Sequence, residues 1–200
     1  MILDQRNYES YSYYDDYGDV KIESITLIGN SALAENDNFY GDSGNDILTG
    51  FSGSDVLYGQ SGDDTIRAGN GRDLISGGRG SDTMYGGFGR NTFKREDDGD
   101  ADSLYLKSDQ WVYNWFYDKS GNSPNGEKAD IIEGLDLSDS IFIQGVASSD
   151  LSFASTNHTF TDGQSVNGIG IFVQGVLEVI YTGGDLNAQQ LQSMTFGVAA

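Results

Sequence analysis

A nine-residue repeat occupies residues 41–94 and constrains the fold of this chain more than any other feature. Six blocks follow one another without a gap, from GDSGNDILT, which begins at residue 41, to GGFGRNTFK, which ends at residue 94. The blocks share glycine at position 4, aspartate or asparagine at position 6 and a large apolar residue at position 8. A fixed short period of this kind is the signature of a chain wound into stacked coils.

Each block combines a turn with a short strand. Glycine provides the tight turn, because it adopts positive φ and permits close backbone approach. The last three residues predict a strand whose middle side chain points inward. Two blocks would complete one coil, so that alternate blocks stack about 4.8 Å apart in two parallel sheets. The predicted fold is an all-β, right-handed parallel β-roll with an inner face formed by Leu48, Ile66 and Met84 from one sheet and by Phe39, Leu57, Ile75 and Phe93 from the other.

The position-6 side chains of stacked turns converge, and their chemistry indicates calcium. Ca²⁺ takes about 6–8 oxygen ligands and accepts carboxylates together with backbone carbonyls. The predicted side-chain ligands are Asp37, Asp46, Asp55, Asp64, Asp73, Asp82 and Asn91. The glycines of the same turns are predicted to supply backbone contacts: Gly41, Gly44, Gly53, Gly59, Gly62, Gly71, Gly77, Gly80 and Gly89. We expect about four or five Ca²⁺ ions in the roll.

The charge of the chain supports cations as partners. The formal net charge is −20, with 31 acidic and 11 basic residues, which argues against nucleic acid and anionic membrane surfaces. No apolar run approaches the length of a membrane-spanning helix. The two-sheet core is thin, so we expect the roll to be disordered without Ca²⁺ and folded with it. Extracellular calcium modules bind at about 10⁻⁴–10⁻³ M, and such sites would fill outside the cell.

Residues 1–40 precede the regular repeats and are predicted to lead into the first coil of the roll. Residues 1–19 form a Tyr- and Asp-rich leader, which is either flexible or a strand packed on the first coil, and a sugar-stacking surface is the alternative. Residues 20–29 alternate apolar and polar side chains and predict a strand. Residues 32–40 fit the repeat without its glycines and predict a degenerate opening turn. The roll is therefore expected over residues 20–94.

Residues 95–200 predict a β-rich C-terminal cap. The acidic segment 95–102 favours a solvated loop over a further calcium site. Residues 130–139 are a candidate for one calcium site, with Asp130 as the best single candidate, and the cap as a whole is a candidate for one or two ions. The aromatic segment 108–117 favours packing over the end of the roll, with a sugar platform as the alternative. Alternating residues from 141 onward predict strands, including a hairpin that turns at Gln174 and Gly175. Residues 185–194 predict a short helix with Asp185 as N-cap.

These repeats resemble those of RTX (repeats-in-toxin) proteins. The segment from Asp130 to Leu135, the stretch from Asp139 to Ile143 and the last residues from Gly184 are similar to the C-terminal regions of serralysin-type proteases and of alginate epimerase R-modules. The resemblance implies export by a type I secretion machine through an uncleaved signal at about residues 150–200, and hence a secreted or cell-surface protein. The chain has no cysteine, and its first residues lack a basic and an apolar region, so we expect no N-terminal signal peptide.

No enzyme is predicted. The single histidine, His158, lies in a polar run and is expected to be an ordinary surface residue, and no zinc or phosphate-binding motif is present. The leading hypothesis is a secreted calcium-binding RTX domain that folds on Ca²⁺ outside the cell and supports type I secretion. A calcium-dependent glycan-binding or cell-surface assembly module, with extracellular polysaccharide as its partner, is one alternative. An accessory C-terminal domain of a larger secreted enzyme is the other.

Overall fold

The computed structural model describes residues 7–14, 20–29, 36–94, 98–108 and 128–199. These ranges contain strands, one short helix α1 (Ala188–Ser193) and a 3₁₀ turn (Ser148–Asp150). The strands are β1 (Asn7–Tyr14), β2 (Val20–Ile28), β3 (Asn38–Tyr40), β4 (Ile47–Ser52), β5 (Val56–Ser61), β6 (Thr65–Asn70), β7 (Leu74–Arg79), β8 (Thr83–Phe88), β9 (Thr92–Phe93), β10 (Ser103–Lys107), β11 (Asp130–Ile132), β12 (Ser140–Gln144), β13 (Leu151–Thr159), β14 (Ser165–Val173), β15 (Val176–Tyr181) and β16 (Thr195–Val198).

The strands form two eight-stranded sheets. Sheet 1 has the order β1-β2-β4-β6-β8-β10-β12-β16, and sheet 2 has the order β13-β14-β15-β11-β9-β7-β5-β3. Successive repeat strands therefore alternate between the sheets, as two blocks per coil require. Within each sheet the repeat strands pair in parallel, with Leu48 beside Ile66 in sheet 1 and Leu57 beside Ile75 in sheet 2. The predicted all-β parallel β-roll is confirmed.

The core lies between the two sheets, and the repeats contribute to it mainly through their position-8 side chains. All seven predicted inner-face residues are buried, from Leu48 at 0% exposure to Met84 at 2%. Phe39 in the degenerate opening turn pairs with Leu57 in β5, so the roll begins before the first complete repeat. The alternation of one buried and one outward side chain along each short strand explains why so few residues per coil enter this core.

Parallel stacking continues beyond residue 94, where we placed the change from roll to cap. In sheet 1, Leu104 of β10 pairs with Met84 on one side and with Ile141 of β12 on the other. In sheet 2, Ile132 of β11 pairs with Phe93 and with Tyr181. All of these side chains are buried, so sequence without the nonapeptide pattern extends the same core.

Antiparallel strands extend one end of sheet 2, as expected for the cap. β13, β14 and β15 form an antiparallel meander, and β15 pairs in parallel with β11. The hairpin between β14 and β15 turns at Gln174 and Gly175, which confirms its predicted position. Both residues have positive φ, 49° and 86°, as a two-residue type I′ turn requires.

The predicted N-cap of the C-terminal helix was wrong. α1 begins at Ala188, and Asn187 caps it through an Oδ1 that accepts the N–H groups of Gln189 and Gln190. Gln190 returns a bond to the N–H of Asn187, which completes a capping box. This reciprocal pair places the N-cap two residues after Asp185, at Asn187.

The ends of sheet 1 consist of β1 and β16. β1 pairs antiparallel with β2, and β2 pairs in parallel with β4, so residues 7–14 form a strand next to the first coil. The predicted aromatic segment 108–117, with both tryptophans, lies outside the described residues except for Ser108. No helix in the described part of the chain is long and apolar enough to cross a membrane.

Candidate metal centre

The position-6 side chains form two ladders, one in each sheet. Within a ladder, the backbone N–H of each member donates to the side-chain Oδ1 atom of the next member, one coil further along, at 2.7–3.2 Å. The sheet-1 ladder consists of Asp46, Asp64, Asp82, Asp102 and Asp139. The sheet-2 ladder consists of Asp37, Asp55, Asp73, Asn91 and Asp130.

Three ladder members come from the chain beyond residue 94: Asp102, Asp130 and Asp139. Asp130 was a predicted candidate, and Asp139 belonged to the same acidic segment. Asp102 was assigned to a solvated loop, but it is 4% exposed, while its neighbours Asp98 and Asp100 are exposed. Its burial follows from strand β10, whose apolar Leu104 enters the core two residues later.

A short signal identifies these three residues in retrospect. Each aspartate is followed at the second position by an apolar core residue, as in Asp102-Ser103-Leu104 and Asp139-Ser140-Ile141. The same triplet occurs in every complete repeat with Asp at position 6, for example Asp82-Thr83-Met84. The triplet, rather than the nine-residue spacing, marks a ladder position.

The second carboxylate oxygens face a different environment. The Oδ2 atoms of Asp55, Asp64, Asp73 and Asp82 are buried and have no hydrogen-bond partner among the described residues. Two outer members of the sheet-1 ladder differ, because the Oδ2 atoms of Asp46 and Asp139 accept the backbone N–H groups of Asp42 and Asp136. The interior of each ladder therefore contains buried carboxylate oxygens that a cation would neutralise.

Burial raises the pKa values of these carboxyl groups when no cation is bound. Desolvation raises the pKa of Asp64 and of Asp73 to about 7, although the N–H donated by the preceding coil opposes the change. Desolvation raises the pKa of Asp82 to about 8. The pKa values of Asp46, Asp55 and Asp139 are raised for the same reason. Ionised ladders are thus unfavourable unless a positive charge accompanies them.

Glycine creates the space in which an ion would sit. A Cβ atom at Gly50 would lie beside Asp55 Oδ2 and 2.7 Å from the carbonyl oxygen of Ala68. A Cβ atom at Gly59 would lie beside Asp64 Oδ2 and 2.5 Å from the carbonyl oxygen of Gly77. A carboxylate and a carbonyl from the next coil therefore border one open cradle, and this donor set fits Ca²⁺.

The remaining predicted glycines have two structural roles. Gly41 forms a cradle in the same way, between Asp46 Oδ2 and the carbonyl oxygen of Gly59, whereas a Cβ atom at Gly77 would meet the carboxylate of Asp82. The position-4 glycines lie directly on one another across coils. Gly62 has a φ of 114°, and its missing Cβ leaves room for the backbone of Gly44, which does not itself have positive φ. Gly53, Gly71, Gly80 and Gly89 share this positive φ.

Asn91 occupies its ladder position with the opposite chemistry. Its Oδ1 accepts the N–H of Asp73, so its Nδ2 takes the place that Oδ2 has in the aspartates. A Cβ at Gly86 would lie 2.9 Å from this Nδ2, which corresponds to the cradle of the other repeats. The side chain thus presents a donor to the cradle, and its orientation follows from the Asp73 bond.

Other acidic residues of the cap do not join the ladders. Glu133 pairs with Lys94 at 2.8 Å, and Asp136 accepts the N–H of Ser138 at 2.7 Å. No group of three or more His, Cys, Asp or Glu side chains able to hold a metal occurs within the described ranges.

His158 is half-buried, in contrast to the surface position expected for it. Its ring contacts Phe160 edge-on, with centroids 4.6 Å apart. Alternation along β13 turns this side chain toward Phe160 at the hairpin end, which accounts for its partial burial.

Comparison with known proteins supports the calcium chemistry of the repeats. A family model described as the RTX calcium-binding nonapeptide repeat (4 copies) matches residues 31–66 and 58–93. No curated protein and no solved structure matches the chain. Residues 31–93 of this chain therefore match RTX calcium-binding nonapeptide repeats, and the described part of that segment, from residue 36, forms a parallel β-roll.

Proposed function

We propose that this chain is a secreted calcium-responsive module that folds when Ca²⁺ fills its two ladders outside the cell. The observation that carries the proposal is the set of buried, unpartnered Oδ2 atoms of Asp55, Asp64, Asp73 and Asp82. Removing one partner from a buried ion pair costs about 3–5 kcal/mol. Four uncompensated carboxylates are therefore too costly for a thin core to tolerate, and the ions become part of the folded structure.

The ladders suggest how many ions the module takes. Consecutive carboxylates bordering a cradle would share one ion, which supports about four or five Ca²⁺ ions in the repeats. Asp102, Asp130 and Asp139 continue the ladders into the cap and support one or two more. The proposal assigns binding and folding to the chain, and no catalytic step.

Calcium removal is expected to unfold the roll at neutral pH. The far-ultraviolet circular dichroism spectrum should change from β-rich to disordered when Ca²⁺ is replaced by chelator, with a midpoint at about 10⁻⁴–10⁻³ M Ca²⁺. Calorimetry on the same sample would give the stoichiometry. Mg²⁺ is the control, because its near-octahedral geometry and tightly held waters suit these cradles poorly. An identical β-rich spectrum in chelator would contradict the proposal.

Acidification in chelator is expected to restore part of the fold. Because the folded-state pKa values of Asp64, Asp73 and Asp82 are raised to about 7, 7 and 8, the folded state binds more protons than the unfolded state. Stability without calcium therefore falls as pH rises from about 4 to 8 and returns as pH falls. Asp185→Asn is the control, because it removes an exposed charge and should leave this pH dependence unchanged. If the stability of the parent chain in chelator did not change with pH, the buried carboxyl groups would not control its folding.

Export is the second part of the proposal. The repeats, and the similarity of the last 70 or so residues to serralysin-type and alginate epimerase C-termini, support a type I secretion signal near residues 150–200. These residues form β13–β16 and α1, so the signal would act before folding, in the low calcium of the cytosol. Residues 150–200 fused to a passenger should direct its export by a type I machine, and retention of the fusion would contradict this part alone.

A further inference from the structure

The two turn edges of the roll carry opposite charge. Position-5 side chains of alternate blocks align at 18-residue intervals, as the bonds from Asp63 N–H to Asn45 Oδ1 and from Ser54 N–H to Asn36 Oδ1 show. One edge therefore contains Asn45, Asp63 and Ser81, and the other contains Asn36, Ser54, Arg72 and Arg90. Arg72 and Arg90 are at position 5 of the fourth and sixth blocks, so they lie on the same edge, although the net charge of the chain is −20.

The turn between β13 and β14 folds over these arginines. Asp162 Oδ2 lies 3.1 Å from Arg72 Nη2 and also pairs with Arg90. The Arg90 guanidinium lies 3.9 Å from the centre of the Phe160 ring, and its side chain is 5% exposed. The turn itself is held by a bond from Gln164 N–H to Asp162 Oδ1 at 3.0 Å. A buried arginine, an exposed arginine and a fixed carboxylate thus converge.

A cavity of about 430 Å³ opens at this point. It is lined by Ser54, Gly71, Arg72, Gly89, Arg90, Lys128, Thr161 and Asp162. Three of the 11 basic residues of the chain therefore line this cavity, and two of them pair with its one carboxylate. The cavity is of the size that binds small molecules, and its neutral lining offers hydroxyl and backbone groups.

We propose that this cavity binds the oxyanion of a hydroxylated ligand about the size of a monosaccharide, such as a sugar carboxylate or sulfate. Each guanidinium has five N–H donors in a planar fork that matches a carboxylate or sulfate. The Asp162 carboxylate shows that an oxyanion is accommodated between the two forks and acts as an internal competitor. This chain is acidic overall, but the edge that carries Arg72 and Arg90 is locally positive, so an acidic ligand can bind there.

The proposal is tested by calorimetry on the calcium-loaded chain with galacturonate, galactose 6-sulfate and galactose. Binding of either acidic sugar, but not of galactose, is expected, and the stronger of the two identifies the oxyanion. Arg72→Gln should weaken that binding about tenfold or more, because it removes a charged hydrogen-bonding group. Arg79→Gln is the matched control, since it removes the same charge from an exposed residue outside the cavity.

Asp162→Asn separates a binding role from a structural one. Removing the internal competitor should tighten binding several-fold, opposite in sign to Arg72→Gln, whereas a purely structural ion pair would make both variants bind less. Equal binding of galactose and galacturonate, or equal losses in Arg72→Gln and Arg79→Gln, would overturn the proposal. The site rests on the folded roll of the proposed function. A chain folded without calcium would contradict that function and leave this titration valid.

Discussion

Asp64→Asn is expected to raise the calcium concentration at the folding midpoint about tenfold or more and to lower the stoichiometry by at least one ion. Asp64 lies inside the sheet-1 ladder, where its Oδ1 accepts the N–H of Asp46 and its Oδ2 borders the cradle at Gly59. Asparagine preserves the Oδ1 bond and the shape. It replaces the charged Oδ2 with an N–H donor, so the variant removes the calcium ligand and keeps the hydrogen bond that supports the fold.

The neighbouring residue provides the control for this experiment. Asp63→Asn removes the same charge from an exposed side chain and keeps the oxygen that accepts the N–H of Ser81. Its calcium midpoint should change little.

In chelator the effect of Asp64→Asn on stability reverses. The variant should be more stable than the parent chain, because one buried carboxylate is gone. Equal midpoint shifts for the two variants would show that only net charge matters.

Asn91→Asp is expected to have the opposite effect in calcium. Asn91 presents Nδ2 to its cradle, and the substitution supplies an oxygen and a negative charge between Asp73 and Asp130. Calorimetry should detect about one additional ion, or tighter binding at this position, because Ca²⁺ accepts carboxylates and rejects N–H donors. In chelator the variant should be less stable than the parent chain, since it adds a buried charge.

Asn45→Asp is the matched control for this gain. It adds the same charge to an exposed turn residue and preserves the oxygen that accepts the N–H of Asp63. Its stoichiometry should equal that of the parent chain. An unchanged stoichiometry and affinity in Asn91→Asp would show that the sheet-2 ladder ends at Asp73 for calcium, although its hydrogen bonds continue.

The repeat itself was predictable because its determinants are local. A glycine turn and a strand of alternating side chains fit within nine residues, so the placement of Leu48, Leu57, Ile66 and Ile75 in two facing sheets followed from position alone. The same local logic placed the hairpin at Gln174 and Gly175. Asp185 was a wrong N-cap because several polar residues precede α1, and a reciprocal bond selected Asn187.

The later ladder members could not be found by counting. Asp102 lies 20 residues after Asp82, and Asp139 lies 37 residues after Asp102, so the period is lost. A coil tolerates insertions of different length if an aspartate and an apolar residue return to the stack, because loop closure costs rise only slowly with length. The spacing along the sequence therefore does not locate the return, whereas the triplet of aspartate, any residue and an apolar residue marks it once the structure is known.

The sequence alone determined that this chain contains a calcium-binding β-roll, since every ligand type and its spacing lie within single repeats. Only the tertiary structure decided how far the ladders extend and that Asn91 turns a donor toward its cradle. It also decided that Arg72 and Arg90 meet Asp162 from a hairpin 72 residues beyond Arg90. The reason is physical: local turns follow from neighbouring residues, whereas these contacts depend on how distant segments close onto the stack.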